Sequence, residues 1–335
     1  LLASHMHLSL GIPSIWYENH LSTAGYDVVG LSLAGIPGIV AGHNGRVAWT
    51  FTMGFADTQD TSIERLNPEN PHQYEFEGTW HDAEVLREEI AVKGAEPVVE
   101  KVVITRHGPL IDGLVPRETS EPVALRWTAY EPSDSIRLFW EIGRAKNCEE
   151  LHQSMRHWTG PVLNVVYADA KGNVGYTLAG KVPARAQSHD GRVPVPGWTG
   201  EQEWLGYVPF DHWPHAINPP EGMLVTANAK PVGDAYPYYL GNCWLPGFRA
   251  ARITELLQDA QGLNVADFCT MQFDQVSVLA RRVGQQLGDL DLVPPYATPN
   301  TQTAFRLFQD WDGHLAADSP TAAIYQLFIR RFLYN

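Results

Sequence analysis

The order in which two hydrophobic periodicities follow each other constrains this chain more than any other feature of its sequence. Short runs of alternating apolar residues, separated by tight turns, occupy the first part of the chain, and helical spacing replaces them from Arg249 onward. The two patterns do not alternate, as they do in proteins with a parallel sheet. This order favours an α+β layered fold, with strands first and helices later, over a doubly wound fold.

The strand predictions rest on β-branched runs and on turn residues. Two short runs between Ile39 and Thr52 meet at Asn44-Gly45, the strongest local signal for a hairpin with a type I′ turn. Further strands are predicted at 1–3, 26–33, 88–92, 98–105, 164–168, 173–179 and 224–228. Two more hairpins are expected, one joining 88–92 to 98–105 through Lys93-Gly94 and one joining 164–168 to 173–179.

The helix predictions concentrate in the last third of the chain. Apolar residues recur at helical spacing in 148–158, 253–257, 264–287, 303–311 and 322–335. Asn264 is the candidate N-cap of the third of these helices, because an Asn side chain can accept a hydrogen bond from the first helical turn.

Charge and composition exclude some classes of protein. Lys and Arg number 24 against 38 Asp and Glu, which gives a formal net charge of −14. An acidic surface repels phosphate, and basic runs are absent, so we expect neither nucleic acid nor an anionic membrane as a partner. Hydrophobic residues make up 44% and charged residues 19%, a profile typical of a soluble globular protein.

Two generic motifs for chemistry are weak on inspection. Gly30 to Ala34 approximates the nucleophile elbow of serine hydrolases, but that elbow needs a helix directly after the serine, and Pro37 and another strand follow here. His5 and His7 would lie on one face of a strand, yet no third metal ligand is near in sequence. The favoured interpretation of the first motif is a serine in an ordinary strand. The favoured interpretation of the second is a pair of ordinary polar histidines.

Two polar segments contain residues that could bind a metal ion or a reaction intermediate, although neither segment matches a specific motif. Asp57-Thr58-Gln59-Asp60 offers the hard oxygen ligands that calcium takes, although Asp-rich turns more often bond backbone amides. The Asn228 amide at a strand end could hydrogen-bond an oxyanion, although from position alone a turn-forming Asn is favoured.

Several segments in combination resemble the catalytic β chain of penicillin acylases, which are N-terminal-nucleophile hydrolases. The most specific is 35–49, Gly-Ile-Pro-Gly-Ile-Val-Ala-Gly-His-Asn-Gly-Arg-Val-Ala-Trp. The others are 1–8, 13–18, 167–169, 172–176, 193–197, Asn228 with Pro231, and 247–249. They occur in the order of that family over nearly the whole chain.

The resemblance implies an αββα four-layer sandwich made from a precursor that cuts itself to expose an N-terminal serine. The nucleophile is expected a little over a dozen residues upstream of Leu1, and its own α-amino group is expected to act as the base. The chain 1–335 would be one fragment of the β chain, β-rich to about residue 248 and helical over 249–335. Its partner would be the α chain from the same precursor, in a periplasmic or secreted enzyme. Without serine and α chain, this fragment is expected to be inactive and to expose apolar surface.

The resemblance also implies roles for individual residues. The backbone N–H of Met53 and the side chain of Asn228 would donate to the oxyanion. Arg249 would orient substrate and precursor. His7 would orient the serine amine, against the alternative of a strand histidine bonded to a loop.

A structural calcium ion is implied at the Asp-rich turn. The expected ligands are Asp57, Gln59, Asp60 and the carbonyl of Pro183, with one more from the α chain. The sequence departs from the pattern at Leu240, near where some relatives carry a further carboxylate. No organic cofactor is expected.

The implied activity is hydrolysis of the acyl amide of a small N-acylated compound of the penicillin or cephalosporin type. An acyl-homoserine-lactone acylase is the alternative within the family. A non-catalytic binding module, with Trp198, Trp204 and Trp213 as a binding surface, is the alternative from another class.

Overall fold

The computed structural model describes residues 1–6, 8–9, 11–112, 121–186, 189–258, 260–289, 297–309 and 311–334. The chain divides into two compact units. One comprises Leu8–Pro220 and Pro231–Trp244, and the other comprises Leu1–His7, Glu221–Lys230 and Leu245–Asn335. We call them the sheet unit and the helical unit. Strands precede most of the helices along the chain, and the α+β prediction is confirmed.

The strands lie in the sheet unit. They are β1 (Trp16–Thr23), β2 (Tyr26–Leu33), β3 (Ala41–His43), β4 (Val47–Met53), β5 (Gln59–Ile63), β6 (Leu66–Asn67), β7 (Asn70–Phe76), β8 (Thr79–Asp82), β9 (Glu84–Ile90), β10 (Val98–Thr105), β11 (Gly108–Pro109), β12 (Val123–Trp127), β13 (Leu163–Asp169), β14 (Val174–Ala179), β15 (Pro183–Arg185), β16 (Val195–Pro196), β17 (Trp204–Tyr207) and β18 (His215–Ile217). The three predicted hairpins form as β3–β4, β9–β10 and β13–β14.

Two α-helices belong to the sheet unit and the others to the helical unit. They are α1 (Ser135–Ile142), α2 (Cys148–Ser154), α3 (Phe248–Gln258), α4 (Val265–Gln272), α5 (Val278–Asp289), α6 (Pro299–Phe308) and α7 (Pro320–Tyr334). In the part of the chain that the structure describes, none of these helices is long and apolar enough to cross a membrane.

A seven-stranded antiparallel sheet organises the sheet unit, in the order β1-β2-β3-β4-β13-β14-β18. Its centre is the β4–β13 pair, in which Met53 lies opposite Leu163 and Thr52 lies opposite Asn164. Gly42 on β3 is required by close approach, because a Cβ there would lie 2.1 Å from the carbonyl oxygen of Val29.

One face of this sheet packs against α1 and α2. Trp49 and Tyr167, which lie opposite each other on β4 and β13, are buried there with Leu151 and Met155. The buried His152 of α2 hydrogen-bonds the Thr177 hydroxyl of β14 through Nδ1 at 2.8 Å. Since side chains alternate along a strand, Asn164 projects from the opposite face.

The turn at Asn44 is not of type I′, and that prediction is wrong. A type I′ turn needs positive φ at both central residues, whereas Asn44 is not among the described residues with positive φ. Its side chain explains the difference. The Asn44 amide accepts hydrogen bonds from the N–H groups of Arg46 and Val47 and donates to the carbonyls that end α1. Gly45 alone carries the positive φ, at 76°.

A buried ionic network joins three of the smaller strands. His107, next to β10, is held between Glu64 after β5 and Glu203 before β17, with 2.7 Å from each ring nitrogen to a carboxylate oxygen. Thr105 and Arg126 complete the network through Glu64 and Glu203 respectively. Burial lowers the pKa of His107, but the two carboxylates outweigh burial and leave that pKa raised.

The helical unit has its own small core. Ala280 of α5, Phe308 of α6 and Tyr325 of α7 are buried together. Asn264 caps α4 with a complete capping box, as predicted from its position. The predicted continuous helix through residue 287 is wrong, because the chain leaves α4 at Phe273 and Asp274 pairs with Arg252 of α3 before α5 begins.

Two predicted strands are absent from the described residues. Residues 1–3 and 224–228 have no ladder partner there and are not strands. An apolar run supplies the side chains for a strand but not the neighbouring backbone that satisfies its N–H and C=O groups. At 228 the backbone also turns into the left-handed region, with φ of 65° at Asn228.

Candidate active site

Asn228 and Arg249 form a polar pair in the helical unit. Arg249, in the first turn of α3, donates from Nη2 to Oδ1 of Asn228 at 2.7 Å and to the carbonyl oxygen of Ala227 at 2.9 Å. The backbone carbonyl of Asn228 accepts the N–H of Leu245 at 3.1 Å. Asn228 is 7% exposed, so its amide is held in a buried and ordered setting.

The arginine decides which way the amide of Asn228 faces. Arginine can only donate, so the group that it contacts at 2.7 Å is the amide oxygen. The NH₂ group of Asn228 therefore points away from Arg249 as a donor. Asn228 is also one of the few non-glycine residues at positive φ, a conformation that Asn tolerates better than most residues and that is enriched at functional sites.

Met53 ends β4 in the sheet unit, and its side chain is 45% exposed. Both polar groups of the Met53–Gly54 peptide are hydrogen-bonded. The Met53 carbonyl accepts a hydrogen bond from Nδ2 of Asn164 at 3.1 Å, and the N–H of Gly54 donates to the carbonyl of Val162 at 2.9 Å. The main chain at Met53 is therefore fixed while its side chain is exposed.

Asn164 was not predicted as a site residue. A signal was present, since an amide interrupts the apolar run Leu163 to Tyr167 of a central strand. A buried amide is costly unless every polar atom is paired, and so an Asn at that position calls for a partner. The structure supplies Thr52, Met53 and Tyr176.

Asp57 and Asp60 lie together beside Arg185 in the sheet unit. Asp60 accepts hydrogen bonds from Nε of Arg185 at 2.8 Å, from Nη2 of Arg185 at 3.1 Å and from the indole of Trp204. Asp57 lies 3.4 Å from Nη2 of the same arginine. Burial raises the pKa of Asp57, and the charge of Arg185 opposes that shift.

These carboxylates fit part of a hard-cation site. Oδ2 of Asp57 and Oδ1 of Asp60 converge on Gly191, each within 2.7 Å of where a Cβ would stand on that glycine. Gln59 follows at the start of β5, and Pro183 begins β15 two residues before Arg185. Leu240 contributes its carbonyl to the N–H of Asp57. Arg185 lies beside both carboxylates and supplies a positive charge there. Within the described residues no group of three His, Cys, Asp or Glu side chains could hold a metal ion.

Of the remaining candidate residues, one lies outside the described part of the chain and the others make hydrogen bonds within the sheet unit. His7 lies outside the described residues. Ser32 is a strand residue of β2 whose hydroxyl bonds the carbonyl of Tyr17, as the favoured reading of the Gly30 to Ala34 motif requires. Trp204 and Trp213 are buried and donate their indole N–H groups internally, which argues against a tryptophan binding surface.

The polar geometry suits stabilisation of a developing negative charge more than nucleophilic attack. An amide NH₂ oriented by an arginine is a preorganised donor of the type that stabilises oxyanions.

Known proteins with related sequences are acylases. The family model for penicillin amidase matches residues 1–335. The chain is 31% identical to the acyl-homoserine lactone acylase QuiP of Pseudomonas aeruginosa, over 98% of this chain and 41% of that protein. It is 32% identical to the penicillin acylase 2 proenzyme of Pseudomonas sp. strain SE83, over 98% of this chain and 42% of that protein.

The fold is also that of a solved acylase. The thermostable penicillin G acylase from Alcaligenes faecalis superposes with a TM-score of 0.76 at 28% identity, over 92% of this chain and 55% of that one. The chain thus spans less than half the length of the two curated relatives described above. The match over all 335 residues nevertheless shows its kinship, and the chain belongs to the penicillin amidase family.

Proposed function

We propose that the full-length protein is an amidohydrolase that cleaves the acyl amide of a small N-acylated compound through an N-terminal serine. The serine oxygen attacks the amide carbon, the amine leaves with a proton, and water then hydrolyses the acyl ester to release the acid. The observation that carries this proposal is the 2.7 Å bond from Arg249 to Asn228 Oδ1, which turns the amide NH₂ into an oriented donor.

Each proposed role follows from the chemistry of the residue. Asn228 donates from its side chain to the oxyanion, and Met53 donates from its backbone N–H. Arg249 orients Asn228. His7 is proposed to orient the amine of the serine, which acts as the base. The rigid backbone at Met53 supports its role, because an oxyanion donor acts best when it needs no reorganisation.

Two substrate classes compete within this function. The relatives include proteins named as penicillin acylases and proteins named as acyl-homoserine lactone acylases. We propose a β-lactam N-acyl amide as the first substrate class to test, and acyl-homoserine lactones as the second. The amide bond cleaved is chemically the same in both, so pocket depth decides between them.

Processing, partner and location are proposed together. A precursor would cut itself before the serine, the preceding α chain would remain as the partner, and the enzyme would work in the periplasm or outside the cell. We also propose a structural Ca²⁺ held by Asp57, Gln59, Asp60 and the carbonyl of Pro183, which would add positive charge where two carboxylates converge.

The first test is intact mass and N-terminal sequencing of the full-length gene product, followed by a panel of N-acyl substrates. We expect a chain that begins with serine shortly before Leu1, and release of the acid from at least one N-acyl amide. A single uncut chain with no serine at that junction would remove the catalytic proposal while leaving the family assignment intact.

A further inference from the structure

The side-chain amide of Asn164 is buried and bonds the main chain at Met53, where β4 ends. Asn164 is 2% exposed and lies in the middle of the apolar run of β13, directly opposite Thr52 of β4. A buried Asn in a central strand lowers stability unless all its polar atoms are paired. Its presence there calls for a reason beyond packing, since an apolar side chain would fill a buried position in a strand without needing partners.

All the polar atoms of Asn164 have partners within the sheet unit. Nδ2 donates to the carbonyl oxygen of Met53 at 3.1 Å and to the hydroxyl of Thr52 at 3.2 Å. Oδ1 accepts the hydroxyl of Tyr176, on β14, at 2.8 Å. Burial raises the pKa of Tyr176, so this hydroxyl keeps its proton and remains a donor.

The direction of these bonds fixes the amide in one orientation. Tyr176 donates to the oxygen of Asn164, which leaves the NH₂ group facing β4. In the reversed orientation the amide oxygen would face the Met53 carbonyl oxygen, and two acceptors would repel each other. Tyr176 and Asn164 therefore form a relay of two hydrogen bonds that ends on the main chain of Met53.

The same peptide group is held from its other side. The N–H of Gly54 donates to the carbonyl of Val162 at 2.9 Å. A side chain at Gly54 would break this approach, because its Cβ would lie 2.8 Å from that carbonyl oxygen. Asn164 thus holds the C=O of the Met53–Gly54 peptide and Val162 holds its N–H.

We propose that Asn164, oriented by Tyr176, is a positioning residue for the oxyanion donor at Met53. It acts on the reaction through the Met53–Gly54 peptide, which adjoins the Thr52–Met53 peptide that carries the donor N–H, and it touches no reacting atom. This inference rests on the proposed function, since it needs the Met53 N–H to be a donor in the transition state. It assigns a role in the reaction to two residues that otherwise read as sheet packing.

The chain offers a matched control. Tyr167, on the neighbouring strand β13, is a buried tyrosine whose pKa burial raises, as it does for the partly buried Tyr176. Its hydroxyl bonds Thr177 at 3.0 Å on the helix-facing side of the sheet. Tyr176→Phe and Tyr167→Phe remove the same atom from the same sheet. Only the first loosens Asn164.

The experiment compares the processed full-length wild type with Asn164→Leu, Tyr176→Phe and Tyr167→Phe. Leucine keeps the branching and the number of side-chain heavy atoms of Asn164 and removes the donor. Measured quantities are kcat, KM, the melting temperature, and the inhibition constants of two ligands: a boronic acid that forms a tetrahedral adduct with the serine, and the product acid. Assays are run below the melting temperature of every variant.

We expect Asn164→Leu to lower kcat about 10- to 100-fold and Tyr176→Phe about 3- to 10-fold, less than loss of a whole oxyanion donor. KM and the affinity for the product acid should stay close to wild type. The boronic acid should bind more weakly by a factor similar to the loss in kcat, because it resembles the transition state. Tyr167→Phe should keep wild-type kcat even where its melting temperature falls.

Three results would overturn the inference. These are wild-type kcat in folded Asn164→Leu, an equal loss of kcat in Tyr167→Phe and Tyr176→Phe, or unchanged boronic acid affinity despite lower kcat. Each leaves the proposed function standing if the wild type still cleaves amides. If the processed wild type cleaves no N-acyl amide, the proposed function fails and this inference falls with it.

Discussion

A single residue, Asn228, combines an unusual backbone conformation with a side chain held in one orientation. Its φ of 65° lies in the left-handed region, and its amide oxygen is held by Arg249 at 2.7 Å. A non-glycine residue in that region costs of order 1–3 kcal/mol unless its surroundings hold it there. The hydrogen bonds from Arg249 and Leu245 are what hold it.

We predict that Asn228→Ala in the processed full-length enzyme lowers kcat about 10²–10³-fold, the usual effect of losing one preorganised oxyanion donor. The measurement is steady-state amide hydrolysis. Asn218→Ala is the control, because Asn218 also has a positive φ, of 50°, and bonds the backbone of Val174. Equal losses in the two variants would mean that backbone strain, not the donor, causes the effect.

Candidate site residues could be predicted where a motif carried them. The sequence predicts both Asn228 and Arg249 as site residues, and the structure brings them into contact. Their roles in the reaction stay a prediction. Asn164 and Arg185 were missed because their importance depends on partners far away in the sequence, such as Asp60 for Arg185 at a separation of 125 residues. No periodicity or local spacing encodes such a pair.

At the scale of elements, the close contact between β2 and β3 sets a strict requirement. Gly30 and Gly42 lie opposite each other, and a Cβ on either would lie 2.1 Å from a backbone oxygen of the other strand. Backbone oxygens cannot swing aside as a flexible side chain can, so these two strands must move apart to admit any side chain.

We predict that Gly42→Ala lowers the free energy of unfolding by about 1–3 kcal/mol, the usual cost of overpacking. Gly233→Ala should have little effect, because no atom lies within 4 Å of its Cβ position. Urea unfolding followed by tryptophan fluorescence measures both. An unchanged midpoint for Gly42→Ala would show that β2 and β3 separate easily.

The His107 network predicts a pH dependence of stability. The folded pKa of His107 is raised, since its bonds to Glu203 and Glu64 outweigh burial. Its stabilising contribution is therefore complete below the unfolded pKa of about 6.5 and is lost as pH rises through the folded value. Burial raises the pKa of Glu203, but the bond from His107 and the charges of His107, Arg106 and Arg126 together outweigh burial and leave that pKa lowered, so its contribution is lost at acid pH instead.

We therefore expect the melting temperature of the wild type to fall as pH rises above about 6.5. This decrease should be absent in His107→Gln. Arg106 and Arg126 also face Glu203. His20→Gln removes an exposed histidine paired with Asp27 and should show the same decrease of melting temperature with pH as the wild type. Differential scanning calorimetry across pH 6 to 9 tests this, and an identical slope in His107→Gln would contradict it.

Elements were more predictable than their ends and turns. The hairpins at β3–β4, β9–β10 and β13–β14 were found from alternation and turn residues alone. The type I′ turn at Asn44 was wrong because a distant helix end recruits that side chain. The strand expected at 224–228 was wrong because a strand also requires a neighbouring ladder, which composition does not reveal.

At the scale of the whole molecule, the net charge of −14 means that every cation has a general effect on stability through screening. Any added salt screens repulsion among 38 acidic side chains. A structural Ca²⁺ is distinguished from screening by its dependence on a named carboxylate. Asp57 is suited to this test, because Asp60 is already bonded by Arg185 and Trp204.

We predict that Ca²⁺ at 100 times its dissociation constant stabilises the full-length protein by about 2.7 kcal/mol, and that chelation reverses this. Asp57→Asn should lose the response, whereas Asp27→Asn, at an exposed site, should keep it. Thermal unfolding with Ca²⁺ and with NaCl at matched ionic strength provides the comparison. Equal effects of the two salts would assign the stabilisation to screening.

The side chain of Asn44 has a consequence for how the chain acquires its structure. It donates to the carbonyls of Ile142, Gly143 and Ala145, which lie 98 to 101 residues further along the chain. These carbonyls, at the end of α1 and just after it, therefore gain their side-chain donor only after the β3–β4 turn has packed against the helix end. Because loop closure on that scale precedes any gain from the contact, the helix end and the turn should become ordered in one late, concerted step, and α1 should fray during earlier stages of folding.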